Sequence, residues 1–498
     1  MTTHEDSNEG VSKMNHKVSR RTFLRALGAS GGAALLAACG VTTTSPSTGG
    51  ASTGPTAAGG AGAATTAAGG ASSGAAAPAG ETAIAIGPAG GTAKTTLEFW
   101  AFSSDRIKFV QELLKSNTWT SMHPDVAVNF RVYQYEDMHT KLLAALASGV
   151  GAPDIADVEI SRFSRFLKGE RVGFIPLNDR IGNEINNLYT AAATAPWSWQ
   201  DQIYGLGNEL NTCVLGYRKD VMDSLGVKTP FETWDDYIAG GQKVVAAGKS
   251  KMCAVHDIHF GDWYMLSQSS GTTMFDAQGN YQADNDKSVT VMQFLRDLVY
   301  KSKIAMIAPA EANDNWTPPT YKAALKAEQW VSTWGPPWHF GGLFDSLKDQ
   351  SGKWAAQAFP KGLGDSKPTA NFGGTGQCIP EQSKNADIAW DLIKLCNLTK
   401  EGVLTDFKIR TAYPAYKPAY DDPALQAPSE FFGGQKIGEL YSSIAPELPP
   451  FQQSPVWPEA TEAMNRIVIT PVMQDKADAK TALTELGAEV KRLKEQTS

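Results

Sequence analysis

Residues 95–498 predict an α/β protein built from parallel strand-helix-strand units, and three observations predict it. The run Leu97-Glu98-Phe99-Trp100-Ala101-Phe102 alternates at period two, the pattern of a strand. Strand patterns then alternate with helical patterns of roughly ten to fifteen residues, which implies parallel pairing with right-handed crossovers. All 13 Trp of the 498 residues lie in this part, where a core can be built.

The N-terminal elements stand outside that fold. Ser19-Arg20-Arg21-Thr22-Phe23-Leu24-Arg25 precedes thirteen uncharged, mostly small residues, Ala26 to Ala38, and then Cys39. Thirteen residues cannot cross ~30 Å of hydrocarbon, and the cationic flank is that of a signal peptide. S-R-R-T-F-L resembles the twin-arginine export motif, with Arg20 and Arg21 as its pair, and Leu36-Ala37-Ala38-Cys39 resembles a lipobox. The resemblance implies a signal peptide over 1–38, cleavage before Cys39 and a diacylglycerol on its thiol. The product would be exported and lipid-anchored to the outer face of the cytoplasmic membrane.

Residues 39–94 follow as a disordered tether. In Val41–Lys94, 49 of 54 residues are Gly, Ala, Ser, Thr or Pro, the exceptions being Val41, Glu81, Ile84, Ile86 and Lys94. With no aromatic between Phe23 and Phe99 the stretch has nothing to pack. As a flexible coil it spans on the order of 40 Å. Two G-x-S-x-G matches, Gly28–Gly32 and Gly70–Gly74, fall in the signal and the tether and lack the strand-turn-helix setting of a hydrolase.

In the α/β part, the strand at 97–102 is followed by a helix near Arg106–Lys115. A strand over Val126–Tyr133 comes next, then a helix over Asp137–Ser148 with Met138, Leu142 and Leu146 on one face. A turn at Gly149–Pro153 leads into a strand at Asp154–Val158. Ligands of open α/β sheets sit beyond the carboxyl ends of strands, here Trp100–Ser104 and Val158–Ile160.

Thr140–Ile160 (TKLLAALASGVGAPDIADVEI), Gln202–Gly207 (QIYGLG), Tyr217-Arg218-Lys219-Asp220, Thr233-Trp234-Asp235-Asp236, Gly373–Pro380 (GGTGQCIP), Ser383-Lys384-Asn385 with Ala389-Trp390, and Tyr413–Tyr416 succeed one another in the chain. In this order, over nearly all of 95–498, they resemble the family 1 extracellular solute-binding proteins, the maltose-binding-like receptors of carbohydrate ABC importers. The resemblance implies a periplasmic-binding-protein-like fold of the type II, cluster D-like kind, with two α/β lobes joined by crossing hinge strands. Lobe 1 would comprise 95–207 and 366–410, and lobe 2 would comprise 208–365 and 411–498. It further implies a sugar-binding cleft between lobes, closure on the ligand, docking on an ABC permease, no cofactor, no catalysis and a monomer.

A sugar presents apolar C–H faces and a rim of hydroxyls, so its site calls for flat aromatic rings and planar polar groups. The aromatic candidates stand in loops: Trp100 at the end of the first strand, Trp263 and Tyr264 within His256–Tyr264, Trp334 and Trp338 in the stiff Trp334-Gly335-Pro336-Pro337-Trp338 turn, and Tyr413 before Pro414. By the resemblance, Trp334, Gly335 and Trp338 lie in a ligand-stacking segment. Polar candidates are Ser103, Ser104, Glu159, Asn208, Glu209 and Asn371, with Gly373 and Gly374 giving close backbone approach. Asp105 reads as a helix cap, and Trp119, Trp234, Trp354 and Trp390 as core.

Other chemistries find less support. The 95–498 part carries 39 basic and 48 acidic residues, a balance of −9, which argues against nucleic acid as partner. His256, His259 and Asp262 look like a metal cluster but stand in a loop-like stretch, so no metal is expected. His123 and His139 read as isolated surface or capping residues. Gly248-Lys249-Ser250 imitates the end of a P-loop, but position 243 is Lys where Gly is required. A secreted carbohydrate-active enzyme, needing two spaced carboxylates, and a surface adhesive or structural lipoprotein are the alternative readings. Cys213, Cys253, Cys378 and Cys396 are expected as buried free thiols, with Cys213–Cys253 and Cys378–Cys396 pairing as the alternative.

Overall fold

The computed structural model describes residues 82–169, 171–309 and 316–497. Arg20, Arg21, Cys39, the signal segment and the tether as far as Glu81 lie outside the described residues.

The larger sheet begins earlier in the chain than expected. Its strands are β1 (Thr82–Ile86), β2 (Thr95–Ala101), β3 (Val126–Val132) and β4 (Ile155–Glu159). After a short hairpin of β5 (Ser198–Trp199) and β6 (Gln202–Ile203) come β7 (Gly205–Gly207) and, much later, β13 (Thr375–Cys378). The spatial order is β1–β3–β2–β4–β13–β7. β2 runs parallel to β3 and β4, whereas β1, β13 and β7 join antiparallel. The sheet is thus mixed, with the predicted parallel units at its centre.

β1 corrects the tether boundary. Thr82 to Ile86 pair with Val132 to Val128, and Ile84 and Ile86 are half-buried against the hydrophobic core. Two of the five residues that broke the small-residue composition are the ones that pack.

The smaller sheet, in the order β11–β8–β12, comprises β8 (Val214–Arg218), β11 (Ser332–Gly335) and β12 (Trp354–Gln357). β8 is antiparallel to both neighbours. Beside it β9 (Cys253–Val255) and β10 (Ala305–Ile307) pair in parallel. Helices follow the strands as the periodicity requires. Ser104–Leu114 buries Ile107, Val110, Leu113 and Leu114, and Tyr135–Ser148 buries Met138, Leu142 and Ala145 before Gly149 stops it at φ 78°. Thr233 and Asp236 form a capping box that starts Trp234–Ala246.

Two α/β lobes result, each with a sheet at its centre. Two apolar clusters run through the molecule, one including Trp100, Val158, Leu215 and Trp334, the other Phe99, Ile155, Val214 and Trp354. Residues adjacent in β2, β4 and β8 divide between the clusters, as period two demands.

Three extended segments link the sheets. Residues 208–213 join β7 to β8, 358–374 join β12 to β13, and 411–415 follow the helix Lys400–Arg410. They are hydrogen-bonded side by side: Cys213 N–H donates to the Ala370 carbonyl at 2.9 Å, Leu210 to Tyr413 at 2.6 Å and Ala415 to Asn208 at 3.0 Å. Cys213, Cys253, Cys378 and Cys396 are buried free thiols. Among the described residues no helix is long and apolar enough to cross a membrane.

Candidate functional site

A cavity of about 400 Å³ is lined by residues from both lobes. On the larger-sheet side lie Tyr135, Glu159, Ser161 and Arg162, beyond the carboxyl ends of β3 and β4. Opposite them stand His259, Phe260 and Tyr264 beyond β9, Trp316 beyond β10 and Trp338 beyond β11. Phe372 and Gly373 come from a linking segment, and Phe451, Trp457 and Thr461 from the C-terminal helices. Strand ends from both sheets therefore converge on one space, where α/β folds place ligands.

The polar side is organised around Glu159, the last residue of β4. Its Oε2 accepts from the Tyr135 hydroxyl at 2.8 Å, from the Ser161 N–H at 2.8 Å and from the Ser161 hydroxyl. Burial raises the Glu159 carboxyl above its usual pKa, although Arg162, Ser161 and Tyr135 all favour the anion. Arg162 forks onto Glu136 at 2.9 and 2.6 Å and lies 5.1 Å over the Tyr135 ring.

His139 braces this corner from beneath. Its Nε2 accepts from the Glu159 backbone N–H at 3.1 Å, which leaves the proton on Nδ1 to donate to the Tyr135 carbonyl at 2.7 Å. Burial lowers its pKa to about 4, so at neutral pH it is uncharged. It is wholly buried, contrary to the surface reading, because the helix Tyr135–Ser148 turns it toward β4.

The opposite wall is aromatic. Trp338 and Phe372 stack with centroids 6.1 Å apart, and the Trp338 indole N–H donates to the Phe372 carbonyl at 3.1 Å. Trp316 meets Trp338 edge-on at 6.4 Å. A second group holds Tyr264, Phe451 and Trp457, with Phe451 and Trp457 centroids 4.5 Å apart. A carboxylate, a phenol and a guanidinium thus face a surface of rings, which suits a ligand that offers both hydroxyls and flat apolar faces.

Of the residues expected at the site, the cavity contains Glu159, Tyr264, Trp338 and Gly373. Trp334 does not line it: at 2 % exposure it belongs to β11, and its indole N–H donates to Asp262 Oδ1 at 2.9 Å. The expected turn is a strand end followed by a helix, because Val331 to Trp334 fit a pleated surface and Pro337 starts Pro337–Phe344. Gly335 leaves room for His339, whose ring is 2.8 Å from where a Cβ would lie.

Trp263 is buried in the helix Gly261–Ser269, which replaces the expected loop, and donates to the Ser288 carbonyl. Trp100 is buried against Tyr133 at 5.1 Å, and Tyr413 against Tyr441 at 4.7 Å. Ser103 is the N-cap of Ser104–Leu114, without a side-chain cap bond, and Ser103 and Ser104 do not line the cavity. Asp105 is an exposed first-turn residue paired with Lys108.

Asn208, Glu209 and Asn371 do not line the cavity and hold the linking segments. Arg106 bonds Asp157 at 2.9 Å and Glu209 at 3.2 Å, and Arg410 pairs with Asp406 and Glu209. Asn208 donates to Asp406 in the same buried cluster. Asn371 donates through Nδ2 to the Ala191 carbonyl at 3.0 Å, and a Cβ on Gly374 would lie 2.7 Å from the Asn211 amide. The His256 ring bonds Asp262 at 2.8 Å through Nδ1 and the Trp316 carbonyl at 2.8 Å through Nε2, so both nitrogens are engaged within the protein.

Several further lining residues carry a signal in the sequence. Trp316-Thr317-Pro318-Pro319, Pro449-Pro450-Phe451 and Trp457-Pro458 share the proline-bounded aromatic pattern that marked Trp338. Tyr135 and Phe372 carry no comparable signal in the sequence.

A family model for bacterial extracellular solute-binding proteins matches residues 102–401. The chain belongs to that family. An arabinooligosaccharide-binding protein of Bacillus subtilis is 28 % identical over 407 residues, 80 % of this chain and 92 % of the relative. One of the same description from Halalkalibacterium halodurans is 27 % identical over 390 residues, 77 % and 85 % of the two chains. Among solved structures, the GacH receptor of Streptomyces glaucescens superposes with a TM-score of 0.65 at 17 % identity, covering 80 % of this chain and 98 % of that one. The ABC transporter associated binding protein of B. animalis subsp. lactis, solved with a galactobiose, gives 0.63 at 20 % identity, covering 81 % and 98 %. These likenesses establish the two-lobe binding-protein fold.

Proposed function

We propose that the protein is an exported receptor that captures a mono- or oligosaccharide between its lobes, closes on it and delivers it to an ABC permease without altering it. The observation that carries this reading is the cavity itself. Hydroxyl-binding groups (Tyr135, Glu159, Arg162) belong to one lobe and stacking rings (Trp316, Trp338) to the other, so a sugar spanning them would bind the closed state more tightly. The names of the relatives, both arabinooligosaccharide-binding, support a pentose-containing oligomer. The lobes would be those reached through 208–213, 358–374 and 411–415. Export through the twin-arginine pair, acylation at Cys39 and a monomeric state complete the reading. Titration calorimetry of the purified protein against arabino-, galacto- and malto-oligosaccharides tests it. Saturable binding, with the sugar recovered intact by chromatography, is expected; no binding anywhere in the panel, or cleavage of the sugar, overturns it.

A further inference from the structure

Phe372 occupies a singular place in the cavity. Its ring centroid lies 5.5 Å from Trp316 and 6.1 Å from Trp338 on one side, and 6.5 Å from Phe260 and 6.3 Å from Tyr264 on the other. It therefore touches both aromatic groups of the one cavity. The ring comes from a linking segment, not from the helices that carry its neighbours.

The backbone beneath the ring is held on every side. The Phe372 N–H donates to the Asn211 carbonyl at 3.3 Å, and its own carbonyl accepts from Trp338 at 3.1 Å. The Gln268 side chain makes both backbone bonds of Asn371, at 2.8 and 3.1 Å. Gly373 and Gly374, at φ 80° and 131°, then turn the chain sharply away, and a Cβ on Gly373 would lie 2.9 Å from Trp338 Nε1. A ring on so constrained a backbone cannot be moved aside by shifting the segment.

We infer that Phe372 is a specificity-determining residue that sets the length of saccharide the cavity accepts. This rests on the carbohydrate reading of the site. The space is about 400 Å³, near the small end of the ~300–1,000 Å³ of ligand pockets. A sugar unit extending past the ring would press hydroxyls against a group that offers no hydrogen bond, and leaving them unpaired is costly. Removing the ring enlarges the cavity between Trp338 and Tyr264, which both line it.

The test measures affinities of the wild type, Phe372→Ala and Phe372→Leu for arabino- and galacto-oligosaccharides of two to six units, with melting curves for each protein. The wild type is expected to lose about tenfold in affinity beyond a short limiting length. Phe372→Ala moves that limit to longer chains by at least one unit, and Phe372→Leu, which retains most of the apolar fill should the alanine protein fold poorly, falls between. An unchanged length profile in both variants overturns the inference while leaving the carbohydrate reading intact. A uniform loss at every length also overturns it, since that marks the ring as a stacking platform. If the wild type binds no member of either series, the carbohydrate reading falls and the inference falls with it.

Discussion

Trp334 and Trp338 stand four residues apart and have opposite roles. Trp334 fills the core and donates to Asp262, whereas Trp338 is 38 % exposed on the cavity wall. Trp338→Ala should therefore weaken sugar binding by about 1–3 kcal/mol, roughly five- to 150-fold, with little change in unfolding midpoint. Trp334→Ala should instead cost about 3–5 kcal/mol of stability, since it opens a void and leaves a buried carboxylate oxygen without its donor. Calorimetry and urea unfolding on both variants check this, and a purely ligand-side effect at Trp334 would contradict its placement. Acid tests a different pair of residues. Burial lowers His139 to about 4 and His339 to about 3, so the unfolded chain takes up protons that the native chain excludes. Their stabilising effect is present above the unfolded value of about 6.5 and is lost as pH falls toward the folded values. Each should contribute about 2 kcal/mol of lost stability at pH 5. The raised Glu159 carboxyl works the other way, because the native state binds that proton more tightly. Urea unfolding at pH 7 and pH 5 should show the loss in the wild type and a smaller loss in His339→Gln; identical pH slopes would contradict it.

At the scale of elements, the chain announced its strands better than its site. The sequence pattern located β2, β3 and β4 to within two residues, because β2 and β3 each bury one face more fully than the other and a slip would misplace every side chain. It failed for Ser332–Gly335 and Gly261–Ser269, where glycine, proline and clustered aromatics imitate loop composition while burial selects a strand and a helix. The site was legible only where exposure matched composition, as at Trp338, and not at Glu209, whose charge is consumed by Arg106 and Arg410. Sequence pattern reports residue type, whereas the direction of a side chain depends on partners hundreds of residues away. β1 is the clearest case: two isoleucines in a small-residue stretch suffice for an edge strand once β3 is there to pair with. A chain beginning at Thr95 should accordingly be less stable than one beginning at Thr82, by about 2–3 kcal/mol for the half-buried Ile84 and Ile86, with β3 left as an open edge. Equal urea midpoints would mean that β1 pairing contributes nothing.

At the scale of the whole molecule, the two sides of the cavity matter jointly. Glu159 ends a strand of the larger sheet, and Trp338 starts a helix after a strand of the smaller one. A ligand shifts the lobes toward closure only to the extent that it binds the closed arrangement more tightly than the open one. Contacts with one lobe alone are the same in both states and shift nothing. Either Glu159→Gln or Trp338→Ala therefore removes more than its own contact, because it also removes the closed-state advantage of the contact opposite. Once the first substitution has cancelled closure, the second has less to remove. The loss in affinity of the double variant should fall short of the sum of the single losses by about 1 kcal/mol. Small-angle scattering should record ligand-induced compaction of the wild type, and much less in either single variant at saturating sugar. Strictly additive losses, with compaction retained in both variants, would mean that the sugar is held by one lobe and that closure, if it occurs, is driven from elsewhere.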